Sequence, residues 1–200
     1  MKNSGDIKQK TGYHHGDLRA QLVEATRVLV EEKGPDHFSV SEAARIAGVS
    51  TAAPYRHFSD KDAMLLAVAD KGGERHLMQM QSEVSKFPKG SIDRIIAMGR
   101  VYVNFARNEP GVFRLKFSRK LAADQQMADD DVRPLDFVER EVADYLGRAE
   151  IDDDIRKRAF LLWTFVHGLS FLLIDEKTSF TDLAVDLDDV LTDIAERVMR

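Results

Sequence analysis

The most specific chemistry in this sequence lies between residues 50 and 61, where Ser50, Thr51, Tyr55, Arg56, His57 and Lys61 follow one another closely. Thr51 stands at the start of a short expected helix, a place where side chains and free helix N–H groups meet phosphates or base edges, and Ala52 and Ala53 leave room for close approach. The Tyr55 hydroxyl suits a phosphate oxygen, and Arg56, His57 and Lys61 supply donors or positive charge on the turn that follows. The candidate DNA-contacting set is Ser39, Ser50, Thr51, Ala52, Tyr55, Arg56, His57 and Lys61. Elsewhere the chemistry is sparse. His167, beside Gly168 on an otherwise apolar stretch, must find a hydrogen-bond partner, either in a pocket or in the packing. The acidic triplets Asp129-Asp130-Asp131 and Asp152-Asp153-Asp154 lack the alternating spacing and central glycine of a calcium loop, and the second begins a helix, where acidic groups are favoured. No His-Glu-x-x-His, Gly-x-Ser-x-Gly or Gly-x-x-x-x-Gly-Lys motif occurs, and there is no cysteine, so the sequence points to no metal site, no cofactor and no catalytic residue.

The elements that must hold these residues read as helices. Leu18, Leu22, Ala25 and Leu29 recur at helical spacing and predict a helix from about Gly16 to Lys33, stopped by Gly34-Pro35. Ser39 followed by Glu42 predicts a capping box for a short helix, Val40 to Ala47. Gly48 turns the chain into a second short helix, Ser50 to Phe58, with Ser50 or Thr51 as its cap, so that Pro54 falls in the first turn where a missing N–H costs little. Phe58 is expected to face inward with Leu22, Ala25, Leu29 and Ile46. Ser59 and Asp62 read as another capping box, opening a long amphipathic helix from Lys61 to about Lys86 that closes at Phe87-Pro88-Lys89-Gly90. Further helices are expected near residues 91–108, 111–118, 127–148, 152–175 and 183–200, and no stretch alternates as a strand would, so the fold class is all-α. Two short helices joined at Gly48 after a longer one make a helix-turn-helix, whose second member is free to enter a major groove.

Several stretches also resemble a known family. Tyr13-His14-His15-Gly16-Asp17-Leu18-Arg19, then Ala43-Ala44 to Gly48-Val49-Ser50, then Pro54-Tyr55-Arg56-His57-Phe58 with Lys61, look like the N-terminal domain of the tetracycline-repressor-like (TetR) transcriptional regulators. Trp163-Thr164-Phe165-Val166-His167-Gly168 is similar to a Trp-x-x-x-His-Gly motif that marks the C-terminal domain of one subgroup. The chain departs from many members in carrying Thr51 and Ala52 where they have lysine and glycine, and Pro54 where they have leucine. The resemblance implies a three-helix DNA-binding domain over residues 1–62, with a flexible basic tail at 1–12, and a helical effector-binding and dimerisation domain over 63–200. It also implies a cytoplasmic regulator, a repressor that binds a palindromic operator as a homodimer and is released by a small-molecule effector. Physics requires the pairing independently: one helix-turn-helix buries little surface, whereas two rigidly linked copies place recognition helices about 34 Å apart, one turn of the duplex.

Apolar stripes locate the seam and the pocket without deciding between them and plain core. Phe165, Leu169 and Leu172, then Leu187, Val190, Leu191 and Ile194, form stripes that either pair across a twofold axis as a four-helix bundle or pack within one chain. Met98, Tyr102, Phe105, Phe113, Phe117, Trp163 and His167 are the candidate pocket residues, with Phe137, Tyr145 and Phe160 nearby, and an apolar or aromatic effector suits them. Arg114, Lys116, Arg119 and Lys120 either draw an anionic ligand or form a solvated face, and Lys2, Lys8 and Lys10 either reach DNA or simply solvate the terminus. The 200 residues, 44% hydrophobic and 32% charged, predict a globular chain, and no uninterrupted apolar run reaches the roughly 18 residues of a membrane span. The start carries no hydrophobic signal core. Residues 1–62 balance nine Lys/Arg against nine Asp/Glu, so the net charge of −5 falls entirely on residues 63–200. An α-helical interaction scaffold, or a helical enzyme using His167, are the competing readings of the same residues.

Overall fold

The computed structural model describes residues 17–117, 135–176 and 186–200, and every regular element among them is helical. The first helix, α1 (Leu18–Lys33), begins at Asp17, whose left-handed backbone lets its carboxylate accept the Ala20 N–H at 3.2 Å. It ends at Gly34, where φ is 80° and a residue with a Cβ would be strained. Half of the expected box opens α2 (Val40–Ile46): Ser39 Oγ accepts the Glu42 N–H at 3.2 Å, while the Glu42 carboxylate, instead of returning to the Ser39 N–H, takes Lys33 Nζ at 2.6 Å and ties α2 to the end of α1. Val40, Ala43 and Ala44 are the buried face of α2. Ile46 lies off that stripe and is exposed, so it does not join Leu22, Ala25, Leu29 and Phe58 inside as the sequence suggests.

The long helix α3 (Lys61–Val84) begins at the expected residue, but its cap is not Ser59. Asp60 is its cap, accepting the Ala63 N–H at 2.7 Å, while the Ser59 hydroxyl only braces the Asp60 carboxylate at 3.1 Å. A carboxylate there also meets the positive end of the helix dipole, an advantage a serine lacks. Then follow α4 (Ile92–Asn108), α5 (Pro110–Lys116), α6 (Asp136–Leu146), α7 (Asp153–Ile174) and α8 (Leu187–Met199). The helix α4 is central and packs on α3, α5, α6, α7 and α8. Its Gly99 admits Leu191 of α8 so closely that a Cβ there would stand 2.9 Å from Leu191 Cδ2. The second acidic triplet does start a helix, with the Asp152 carboxylate accepting the Ile155 N–H at 2.9 Å. Arg94 pins α6: its guanidinium holds Glu141 through two 2.7 Å bonds and donates to the carbonyls of Val84 and Phe87 at 3.0 and 3.1 Å, closing the end of α3.

The short helix α5 joins the two ends of the structure. It packs against α1, α3 and α4. Pro110 fills the first helical position, where no N–H is needed, and the next two N–H groups, of Gly111 and Val112, are both taken by the Glu31 carboxylate of α1 at 2.9 and 2.8 Å. Glu109, just before α5, pairs with Arg75 of α3 at 2.5 Å and faces Arg27 of α1 at 4.0 Å. The α7 helix is long and apolar enough by composition to cross a membrane in spite of its polar interruptions, but it packs on α4, α6 and α8.

Candidate nucleic-acid interface and interior ligand site

The second helix of the helix-turn-helix is shorter than its sequence suggests. Residues 50–53 form turns and only Pro54–Arg56 are helical, as a single 3-10 turn. Pro54 does occupy the first position, but Ala53 precedes it as the cap, Thr51 does not cap, and no side chain closes that end. The cause is local. Ala53 N–H bonds Ser50 and Arg56 N–H bonds Ala53, each three residues back, while Pro54 has no N–H to carry an α-helical ladder from one turn into the next. Pro54 and Phe58 are buried and hold this segment against the body, with the Arg19 guanidinium 5.1 Å from the centre of the Phe58 ring. Between and before these anchors, Ser50, Thr51, Ala52, Tyr55, Arg56 and His57 are exposed, Tyr55 to 60%. The two remaining candidates have structural partners. Ser39 caps α2, and Lys61 turns back so that its Nζ donates to the Asp36 carbonyl at 3.0 Å above the Phe38 ring. Lys2, Lys8 and Lys10, and Tyr13 to Gly16 of the motif, lie outside the described residues.

Inside the second part, three helices bring polar groups together. Tyr102 of α4 is buried and its oxygen lies 2.8 Å from His167 Nδ1 of α7. Burial raises the Tyr102 hydroxyl well above its ordinary pKa, against which the Trp163 indole N–H works, and burial lowers that of His167. The phenol therefore keeps its proton and the imidazole is neutral, so the pair shares one hydrogen bond and keeps one further donor, on His167 Nε2 or on the phenol according to the tautomer. Trp163 and His167 sit one turn apart on the same face of α7, with ring centres 5.0 Å apart, and Phe113, Phe117 and Phe171 complete an aromatic shell around His167. On the opposite side of Tyr102 lies His76 of α3, 8% exposed, stacked on Phe105 at 4.8 Å and edge-on to Tyr102 at 5.4 Å. Its Nδ1 is buried and finds no hydrogen-bond partner among the described residues. Lys116 of α5 is the charged neighbour that, with burial, drives the His76 pKa down to about 4. Burial lowers the Lys116 pKa too, opposed by Asp70.

Of the candidate pocket residues, Met98, Tyr102 and Trp163 line an apolar cavity of about 40 Å³, together with Met80, Ile95, Val166 and Leu191. Phe105 and Phe113 are core, Phe117 and His167 are half-buried beside it, and Phe160 points outward. Phe137 and Tyr145 pack partly buried on the core. Sequence reasoning passed over His76, which sits in an amphipathic helix without a motif. The signal available was Gly72-Gly73 one turn earlier, a pair that costs helix stability and so marks a close approach. Val112 would stand 2.5 Å from a Cβ at Gly72, and Lys116 Nζ 2.6 Å from one at Gly73.

The expected seam needs one correction. Leu191 is 2% exposed, sealed against Gly99 within its own chain, and cannot pair with a second copy. Ile194 turns toward the interior cavity as well. Phe165, Leu169, Leu187 and Val190 are half-buried, and Leu172 is 48% exposed, as open as Phe160 and Leu161 about three turns earlier on α7.

Comparison with known proteins bears on both parts. Residues 22–68 match the family of bacterial regulatory proteins, tetR family, and residues 95–198 match the tetracyclin repressor-like C-terminal domain. Over 129 residues the chain is 29% identical to an uncharacterized HTH-type transcriptional regulator from Haemophilus influenzae, a match that covers 64% of this chain and 62% of that protein. A protein of unknown function from Rhodococcus sp. RHA1 superposes over 96% of this chain and 98% of its own, with TM-score 0.75 and 26% identity. A TetR-family transcriptional regulator from Streptomyces coelicolor shares the fold at 20% identity, with TM-score 0.65 over 91% of this chain and 99% of its own.

Proposed function

This chain belongs to the tetR family of bacterial regulatory proteins, and from that premise we propose that it is a cytoplasmic, sequence-specific DNA-binding transcriptional regulator. It acts as a repressor, a homodimer on a palindromic operator that a small-molecule effector releases. Residues 1–62 bind DNA and residues 63–200 bind the effector and the second copy. The observation that carries this reading is the exposed row Thr51, Tyr55, Arg56 and His57, held out by the buried anchors Pro54 and Phe58. A row of donors whose side chains make no hydrogen bond to the described residues suits phosphates and base edges. Ser39, Ser50, Ala52 and Lys61 border it; Lys61 joins only by giving up the Asp36 carbonyl. The shell around Trp163 and His167 supports the narrower assignment to the subgroup with a Trp-x-x-x-His-Gly element, and Met98, Tyr102, Phe105, Phe113, Phe117, Trp163 and His167 are the effector chamber in this reading. His167, engaged by Tyr102, is a binding group and not a catalytic base.

Gel retardation with DNA flanking the protein's own coding region tests this. Specific retardation should weaken by about ten-fold in Tyr55→Ala and in Arg56→Ala, the loss typical of one contact. The log–log salt slope should drop by about 0.9 for each phosphate contact removed. Absence of retardation at low salt would return the helix pair to the role of a protein-binding scaffold.

A further inference from the structure

We propose that the interior site takes a slender organic carboxylate, its apolar body in the cavity beside Met80 and Met98 and its anionic end at His76, Tyr102, His167 and Lys116. The inference rests on the effector-binding reading above and names the ligand's chemistry.

The argument follows three helices level by level. On α3, Met80 lines the cavity, His76 lies one turn before it, and Gly73 one turn earlier again, with Lys116 Nζ lying over it. On α4, Met98 lines the cavity and Tyr102 follows one turn on. On α7, Trp163 borders the cavity and His167 follows one turn on. Apolar groups thus end at one level on all three helices and polar groups begin at the next, as in a site for an elongated molecule with one polar end.

The polar end has a definite sign. Lys116 is a donor, the Tyr102–His167 pair keeps one donor beyond the bond between them, and His76 holds a buried Nδ1 that no described residue satisfies. Asp70, an exposed residue, is the carboxylate that acts on Lys116. A bound carboxylate supplies an acceptor for that nitrogen and a negative charge beside Lys116, and it favours the His76 tautomer or protonated ring that can donate to it. The glycine pair explains how the ammonium reaches this place: a side chain at Gly73 would occupy the position of Lys116 Nζ. The cavity of about 40 Å³ is smaller than the ligand, and the unbranched Met80 and Met98 are the side chains able to repack around an entering body.

Trp163 is the only tryptophan in the chain, and its fluorescence reports on this site. Full-length protein is titrated with 4-phenylbutanoate and with 4-phenylbutan-1-ol, equal in body and different in charge. The acid should shift Trp163 emission saturably and bind about ten-fold more tightly than the alcohol, the factor expected for a charge-assisted hydrogen bond. Lys116→Met should erase that preference while still binding the alcohol; circular dichroism checks its fold, and Lys116→Gln replaces it if the fold is lost. Equal binding of acid and alcohol, a preference that survives at Lys116→Met, or emission indifferent to both compounds overturns the proposal. Gel retardation is run on the same preparation. DNA binding without acid binding removes this inference alone, and acid preference without DNA binding removes the regulatory reading alone.

Discussion

His76 has a buried ring nitrogen that no described residue satisfies, and the burial of its ring gives the protein a pH response. The groups facing it are Lys116 from α5 and the rings of Tyr102 and Phe105 from α4, and burial together with Lys116 holds its pKa at about 4 against an ordinary 6.5. Between those values the unfolded chain binds a proton that the folded chain refuses. Stability is therefore full above about pH 6.5 and falls as the pH drops toward 4. Wild type should lose about 2 kcal/mol more than His76→Phe between pH 7 and pH 5, read from urea melts of both proteins. Parallel stability curves would show that His76 titrates freely. Lys116 is a related case: the sequence left open whether it lies on a solvated face or near an anion, and only the glycines of the neighbouring helix decide that it turns inward.

The short helix α5 is held at both ends, by Glu31 and Glu109 at its start and by Phe113, Lys116 and Phe117 in the interior site. At Gly111 the contact is with backbone, since a Cβ there would stand 2.7 Å from the Val30 carbonyl oxygen, an atom that cannot rotate aside. Gly111→Ala should cost about 1 to 3 kcal/mol in urea unfolding, the usual range for overpacking, and a variant as stable as wild type would mean that α1 and α5 slide freely. Much of the element order was legible in the sequence because its signals are local: Gly34, the Ser39–Glu42 box and the buried Phe58 each act within a few residues. The recognition segment was not read fully, since one missing N–H at Pro54 breaks a ladder that its neighbours would otherwise support. The interior site was read only in part. Met98, Tyr102, Trp163 and His167 stand on conspicuous apolar stripes, whereas Glu31, Glu109 and His76 gain their roles from residues far along the chain.

The proposed pairing of two copies turns on α7, most of whose apolar stretch is not buried by the described residues. Phe160, Leu161 and Leu172 stay open on it, and around Gly168 a Cβ would meet nothing within 4 Å. A stripe in sequence says which face wants burial but not which chain buries it, which is why Leu191 and Leu172 looked alike before the fold separated them. Leu172→Glu should give a folded monomer by sedimentation, with operator affinity reduced by more than about ten-fold because two linked recognition segments become one. Leu191→Glu should unfold instead, by inserting a charge into the core. A dimeric Leu172→Glu protein would place the seam elsewhere.

The corner where Glu31 and Arg27 meet Arg75, Glu109 and the start of α5 also constrains how such proteins can be recombined. A hybrid spliced at residue 62, joining this reading head to another sensor, would inherit half of each joint: a Glu31 carboxylate with no amides to clasp, an Arg27 without Glu109 opposite it, and a foreign corner pressing on Val30. Working chimaeras would have to import Arg27, Glu31, Arg75 and residues 109–112 as one cassette, so the suture follows the wiring of that corner and not the boundary between the parts.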